Sequence, residues 1–128
     1  MQPTTTSHRL ILVLIAALCL TACGSSTATS PSTTTPAPAN STTVMMVSGA
    51  SSLTTTAYAP SPISVPVGTT ISWLNNDNTA HTSTANNSAW ASPAVAPGDR
   101  FNFTFNTAGA FTYHCTIHPG MVGTVNVQ

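Results

Sequence analysis

The sequence predicts an all-β domain, an antiparallel Greek-key β-sandwich with seven or eight strands. Short runs rich in Val, Ile, Thr and aromatic residues alternate with turn-forming residues through residues 44–128. Within them Phe101, Phe103 and Phe105 alternate with polar residues, which is the pattern of a strand with one buried face. No segment keeps a helical hydrophobic period over several turns, so the sheet residues must form the core.

Seven strands are assigned from these runs, and the segments between them carry turn signals. Asn75-Asn-Asp-Asn78 and Pro97-Gly-Asp99 are predicted turns, and residues 85–92 are a predicted loop. Proline at positions 60, 62 and 66 makes the second and third strands edge-like or irregular. The predicted strands are residues 44–48, 53–58, 63–67, 69–74, 101–105, 111–115 and 122–127.

Residues 1–22 are expected to be a lipoprotein signal peptide. Arg9 precedes an unbroken apolar run of 11 residues, whereas a membrane-spanning helix needs about 20. The run ends in Leu20-Thr-Ala-Cys23, which resembles the bacterial lipobox. The resemblance implies that Cys23 is acylated and becomes the new N-terminus. The alternative is an ordinary signal peptide whose cleavage leaves Cys23 as a free thiol.

Residues 23–43 are expected to be the acylated cysteine followed by a Ser/Thr/Pro-rich tether. Residues 24–43 contain no large apolar side chain, so they cannot bury enough surface to offset the entropy of ordering. The domain would then occupy residues 44–128. We therefore expect an exported protein, held by a lipid anchor to a membrane and facing the periplasm or the cell surface.

Charged side chains are almost absent, since Arg9, Arg100, Asp77 and Asp99 are the complete set. Without the leader, one Arg stands against two Asp, so the side-chain charge is +1 − 2 = −1 with His neutral. Such a chain has no basic surface for phosphate contacts, which excludes nucleic acid as a partner. Weak electrostatic steering favours partners that dock through an uncharged surface. We also expect the protein to be a monomer.

The candidate functional residues lie near the C-terminus, where a thiol, an imidazole and a thioether follow at intervals of three. These residues are Cys115, His118 and Met121, and His81 lies 34 residues before the cysteine. Two histidines, one cysteine and a weak axial methionine are the ligands of a blue-copper site. Pro119-Gly120 shapes a short turn that lets the loop surround one point.

Strand phase decides which of the neighbouring side chains can join such a site. If residues 111–115 form a strand, Phe111, Tyr113 and Cys115 share one face, and His114 lies on the other. Because the core packs on the aromatic residues, Cys115 is expected to point inward. His114 is therefore expected at a surface and not at the metal.

The stretch Tyr113-His-Cys-Thr-x-His-Pro-x-x-Met closely resembles the copper loop of the cupredoxins, the plastocyanin- and amicyanin-like blue copper proteins. Upstream, Ile71-Ser-Trp-Leu-Asn and His81 resemble the strand and loop that carry the first histidine in that family. The resemblance covers about residues 60–128. One departure is Thr82, because the family has an asparagine there that helps to join the two ligand loops.

Carried over by position, the resemblance implies one type 1 copper bound by His81, Cys115, His118 and Met121. It also implies that the His118 edge lies near the surface and serves as an electron port for redox partner proteins. The apolar residues expected around that port are Pro119 and Gly120, joined by Trp90 or Pro93.

Three classes of function are compatible with such residues. The first is a one-electron carrier cycling between Cu(I) and Cu(II), and the second is a copper carrier or storage protein that delivers the ion itself. Enzymatic activity is not expected, because no signature of a Cys–His nucleophile surrounds Cys115 and no orienting group is evident. The carrier of electrons is favoured, because ion-delivery proteins tend to use open Met/His clusters.

Overall fold

The computed structural model describes residues 40–128, so the predicted signal peptide, Cys23 and the tether as far as residue 39 lie outside it. The described chain forms eight strands and one turn of 3₁₀ helix. Within residues 40–128 no helix has the length and apolar character needed to cross a membrane. In chain order the elements are β1 (Ser41–Met46), the 3₁₀ turn (Ala50–Ser52), β2 (Tyr58–Ala59), β3 (Ile63–Val65), β4 (Thr70–Asn75), β5 (Thr84–Ala85), β6 (Arg100–Thr104), β7 (Gly109–His114) and β8 (Val122–Val127).

The strands form two four-stranded sheets, with orders β2-β1-β4-β6 and β3-β8-β7-β5. The predicted all-β architecture and strand number are therefore confirmed. The two sheets are mixed and not antiparallel throughout, because β1 pairs with β4 and β3 with β8 in parallel. Turn signals describe strands that follow one another along the chain. These two pairs join strands that are not consecutive, and so no turn signal indicates their direction.

Most predicted strands occur within a few residues of their expected bounds, and β8 coincides with residues 122–127. The prediction of a strand at residues 53–58 is wrong. There the backbone forms tight turns, with Leu53 N–H bonded to Ala50 O and Ala57 N–H to Thr54 O. Only Tyr58 and Ala59 pair with β1. Local turn bonds thus use the backbone groups that a longer strand would have offered to its neighbour.

The core between the sheets is aromatic at its centre. Trp73 of β4 stacks on Trp90 with ring centroids 5.4 Å apart and meets the edge of Tyr113 at 5.5 Å. Phe105 is buried, as the alternating pattern of residues 101–105 predicted. Ring pairs of this kind add about 0.5–1.5 kcal/mol each beyond their apolar area. The packing fixes β4 against β7, and these two strands lead into the loops that carry the histidines and the cysteine.

Candidate metal centre

The loop that follows β4 holds His81 in a fully buried position. His81 exchanges two backbone hydrogen bonds with Val95, N–H to O at 3.2 Å and O from N–H at 2.8 Å. The buried side chain of Asn75 donates to Thr79 O at 2.7 Å and to Val95 O at 2.9 Å. Its Oδ1 accepts the Asp77 N–H at 2.9 Å. The predicted Asn-rich turn is therefore ordered, and its hydrogen bonds hold the loop that carries His81.

The connection between β7 and β8 carries the other three candidate ligands. Cys115 N–H donates to Met121 O at 3.1 Å, and Met121 N–H donates to His118 O at 2.9 Å. These bonds fold seven residues into one compact loop with Pro119 and Gly120 at its exposed tip. The spacing of three residues seen in the sequence thus corresponds to one closed turn.

The two loops bring one sulfur and two nitrogens to a common point. His81 Nδ1 and His118 Nδ1 are 3.1 Å apart, and each lies 3.9 Å from Cys115 Sγ. Metal bonds of about 2.0 Å to nitrogen and 2.3 Å to sulfur, as protein-bound zinc has, can meet inside a triangle of this size. The three side chains form a potential metal-binding group in the described part of the chain. The donor set fits a soft transition-metal ion.

The sulfur is enclosed and is a hydrogen-bond acceptor. Cys115 is fully buried, and its Sγ accepts the Thr82 N–H at 3.3 Å and the His118 N–H at 3.4 Å. The two N–H donors come from the His81 loop and from the Cys115–Met121 loop, so they hold the sulfur between the two loops. The inward orientation predicted from strand phase is confirmed.

Thr82 replaces the asparagine found in the resembling family and still joins the two loops. Its Oγ1 accepts the Thr116 N–H at 2.8 Å and lies 3.1 Å from Thr116 Oγ1. The residues directly after the first histidine and after the cysteine are therefore bonded to each other. A hydroxyl supplies the link that a carboxamide was expected to supply.

The two histidines differ in their access to solvent. His81 is fully buried, whereas His118 is half-buried beside the exposed residues Pro119 and Gly120. Ile117, immediately before His118, exposes 47% of its surface. The prediction that Trp90 belongs to the apolar patch is wrong, because Trp90 packs in the core with 5% exposure. Its ring fills the space between Trp73 and Phe103 instead of facing solvent.

His114 lies outside the cluster, as strand phase predicted. Its register partner across the sheet is Thr84, and its Nδ1 lies 2.7 Å from Asn86 Oδ1 at the surface. Met121 is fully buried and is tied by its backbone to Cys115 and His118. Its role as an axial ligand stays a prediction.

Sequence reasoning missed the residue behind His81. Asp77 Oδ2 lies 2.9 Å from His81 Nε2, and the carboxylate side chain is 2% exposed. The Gly49 N–H, followed by the His81 imidazole, holds the pKa of the Asp77 carboxyl well below its usual range. One signal was present, since Asp77 is one of only two acidic residues in the chain and precedes His81 by four.

A two-sheet β-sandwich that joins a buried cysteine and two histidines at one end is a cupredoxin. The chain belongs to the plastocyanin/azurin family of copper-binding proteins, whose family model matches residues 44–128. The family and the cluster of His81, Cys115 and His118 together support one copper ion as the cofactor.

Two sequence relatives each match 56% of this chain. Amicyanin from Paracoccus denitrificans is 32% identical over 76 residues, which are 56% of this chain and 58% of that protein. Plastocyanin from Scenedesmus fuscus is 33% identical over 84 residues, covering 56% of this chain and 86% of that protein. The match thus spans less than two thirds of the amicyanin and most of the plastocyanin.

Solved structures agree with this assignment. A purple cupredoxin from Nitrosopumilus maritimus has a TM-score of 0.63 at 32% identity, covering 67% of this chain and 98% of that one. A reduced mutant of amicyanin has a TM-score of 0.59 at 25% identity, covering 72% and 86%. A copper-containing nitrite reductase from Thermus scotoductus SA-01 is matched over 67% of this chain but only 22% of its own length, with a TM-score of 0.55 and 27% identity.

Proposed function

We propose that this protein is a one-electron carrier with a type 1 copper, which His81, Cys115 and His118 would hold together with Met121 as a fourth, weaker ligand. The observation that carries the proposal is the triangle of Nδ1, Nδ1 and Sγ atoms around a buried cysteine. Mixed sulfur and imidazole ligands suit both Cu(I) and Cu(II), so little rearrangement accompanies a change of charge.

The protein's part in this function is to hold the ligands rigidly and to exclude water. Asn75 and Val95 fix the His81 loop, and the Thr82–Thr116 pair fixes it against the β7–β8 connection. Within residues 40–128 only the His118 side of the cluster approaches solvent, beside exposed Ile117 and Pro119. Electrons would therefore enter and leave through the His118 imidazole when a redox partner protein docks on this uncharged surface.

The solved amicyanin structures support a change of redox state at such a site, because they include reduced, Cu(I) and oxidised forms of that protein. The match to the nitrite reductase covers a fifth of that enzyme. It therefore gives no reason to assign an enzymatic reaction to this chain.

The test is a visible and electron-paramagnetic spectrum of the purified domain after addition of Cu(II). We expect intense visible absorption that a mild reductant abolishes and an oxidant restores, with no loss of copper. Weak colour together with ready transfer of copper to a second protein would contradict the proposal and favour a copper-delivery function.

Two variants assign the ligands. Cys115→Ser should lose the intense absorption, because the charge-transfer band requires the thiolate. Met121→Leu should keep copper and raise the reduction potential, because it removes a thioether donor to the ion. An intensely coloured Cys115→Ser protein would refute the site assignment, and an unchanged potential in Met121→Leu would refute only the axial role.

The membrane tether belongs to this proposal as well. The lipobox-like segment ending at Cys23 and the Ser/Thr/Pro-rich segment between Cys23 and β1 support a carrier that is exported and anchored by lipid. Anchoring would keep the carrier close to partners in or at the same membrane, which raises their effective concentration.

A further inference from the structure

The His81 imidazole is backed by a buried anion, whereas the His118 imidazole is not. Asp77 and His81 side chains are 2% and 0% exposed, and their Oδ2 and Nε2 atoms are 2.9 Å apart. His118 is half-buried and lies beside the solvent-exposed loop tip. The two nitrogen ligands of the cluster therefore have different chemical surroundings.

The carboxylate is held in place by other donors, so it is an integral part of the site. Asp77 Oδ1 accepts the Gly49 N–H at 2.9 Å and the Asn78 N–H at 2.8 Å. Thr79 Oγ1 lies 3.4 Å from Oδ2. These donors stabilise a negative charge that would otherwise be costly to bury. A buried carboxylate whose oxygens accept these hydrogen bonds stays ionised. It can then act only as a hydrogen-bond acceptor.

The contact also decides which nitrogen of His81 is available to a metal. An ionised carboxylate has no proton to give, so the hydrogen in the contact must sit on His81 Nε2. The lone pair is then on Nδ1, the atom that faces Cys115 Sγ and His118 Nδ1. Carboxylate–histidine–metal arrangements of this kind orient the ring and raise the basicity of the ligand nitrogen.

We propose that Asp77 is a positioning residue that fixes the tautomer of His81 and lowers the reduction potential of the copper. A fixed negative charge beside a ligand favours the oxidised ion, which carries the higher positive charge. This inference rests on the proposed function, since it assumes a copper ion that changes redox state at the cluster. It adds a second anion, besides the Cys115 thiolate, to a site in a nearly uncharged protein.

A purely structural role for Asp77 is the alternative explanation, because its carboxylate also holds the loop through hydrogen bonds from Gly49 and Asn78. Loss of these hydrogen bonds alone would lower the stability of the domain without moving the reduction potential of the copper in a fixed direction. The test must therefore separate the effect of the negative charge on Asp77 from the effect of the shape of its side chain. Asp77→Asn keeps the shape and removes the charge. Asp99→Asn removes the same charge from the other acidic residue, which is not among the hydrogen-bond partners of the His81 side chain in the described chain.

The experiment measures the midpoint potentials of the copper-loaded wild type and both variants, together with their unfolding in urea. Asp77→Asn should shift the Cu(II)/Cu(I) equilibrium toward Cu(I) at least tenfold, which is about 59 mV for one electron. Asp99→Asn should shift it by less than half as much in millivolts. A potential of Asp77→Asn that is equal to or below that of Asp99→Asn overturns the inference, whatever happens to its stability.

A second measurement needs no variant and no change of redox state. Nitrogen NMR of the copper-free and Cu(I)-loaded wild type should show the His81 proton on Nε2, exchanging with water far more slowly than the His118 ring proton. A His81 proton on Nδ1 in the copper-free protein, or equal exchange rates, overturns the inference. A wild type whose copper shows no reversible redox change would refute the proposed function instead, and the NMR result would still stand by itself.

Discussion

Thr82 joins the two ligand loops through one hydroxyl group. Its Oγ1 accepts the Thr116 N–H, and its own N–H donates to Cys115 Sγ. The sequence showed that a family asparagine was replaced here, but it did not show which groups the shorter side chain would reach. The structure resolves this, because the residue paired with Thr82 is another threonine whose backbone comes within 2.8 Å.

We expect Thr82→Val to destabilise the copper-free domain by about 1–2 kcal/mol, because the shape is kept while Thr116 N–H loses its acceptor. Thr116→Val is the matched control, since it removes the neighbouring hydroxyl and leaves that N–H bonded. Urea unfolding measures both. Equal stability of Thr82→Val and the wild type would show that the link contributes nothing.

Tyr58 gives the domain a predictable response to alkaline pH. Its ring is 1% exposed and its hydroxyl donates to Thr82 O, next to the ligand loop. Burial, followed by the nearby Cys115, raises the pKa of the Tyr58 hydroxyl far above its ordinary value of 10.0. The folded protein therefore keeps this proton at a pH where the unfolded chain releases it.

From this difference we expect stability that is fully present below pH 10 and is lost as the pH rises above it. Above that pH the unfolded state binds fewer protons, so the free energy of unfolding falls by about 1.4 kcal/mol per pH unit for one such tyrosine. Between pH 10 and pH 11 Tyr58→Phe should reduce the loss of stability by about 1 kcal/mol, because the unfolded tyrosine is already half ionised at pH 10. Urea unfolding of copper-free protein measures it, and identical slopes in variant and wild type would contradict the assignment.

At the scale of elements, β7 and β8 form the hairpin on which the site is built. The sequence predicted both strands, the inward face of Cys115 and the outward face of His114, because alternation within a strand is a local property. It could not predict that Tyr113 lies opposite Gly123, since register depends on pairing across the loop. Nor could it predict the buried Asp77, whose partner Gly49 is 28 residues away.

The Tyr113–Gly123 pair has a measurable consequence. A Cβ atom at position 123 would lie 2.5 Å from Tyr113 Oη, so the glycine makes room for the ring. We expect Gly123→Ala to cost up to about 3 kcal/mol of stability through overpacking. Gly120→Ala is the control, because its Cβ would meet only Leu53 O, at 3.9 Å. Thermal unfolding that is equal for both variants would contradict this account.

At the scale of the whole molecule, composition and motifs predicted the class of fold and the metal cluster, whereas long-range pairing could not be predicted. The parallel pairs β1–β4 and β3–β8 join strands that are separated by other elements, and local turn signals carry no information about them. The near absence of charge is also a property of the whole chain. Among the described residues only Asp77, Asp99 and Arg100 carry formal charge, and Asp77 is buried at the site.

The predicted lipid anchor is tested in cells that make the complete chain. Cys23→Ala should move the protein from the membrane fraction to the soluble fraction, because the acylated residue is lost. Cys19→Ala is the matched control, since that cysteine lies in the segment expected to be cleaved and should leave attachment unchanged. Continued membrane attachment of Cys23→Ala would refute the lipobox.

The enclosure of Cys115 also makes this residue a reporter of local motion. It is the only cysteine within residues 40–128, and it is fully buried beneath the β7–β8 connection. An alkylating reagent can reach such a thiol only while the loop is transiently open. The labelling rate of the copper-free protein therefore measures the free energy of opening at the site itself. Comparison with global unfolding would show whether the ligand loop opens by itself or only together with the two sheets.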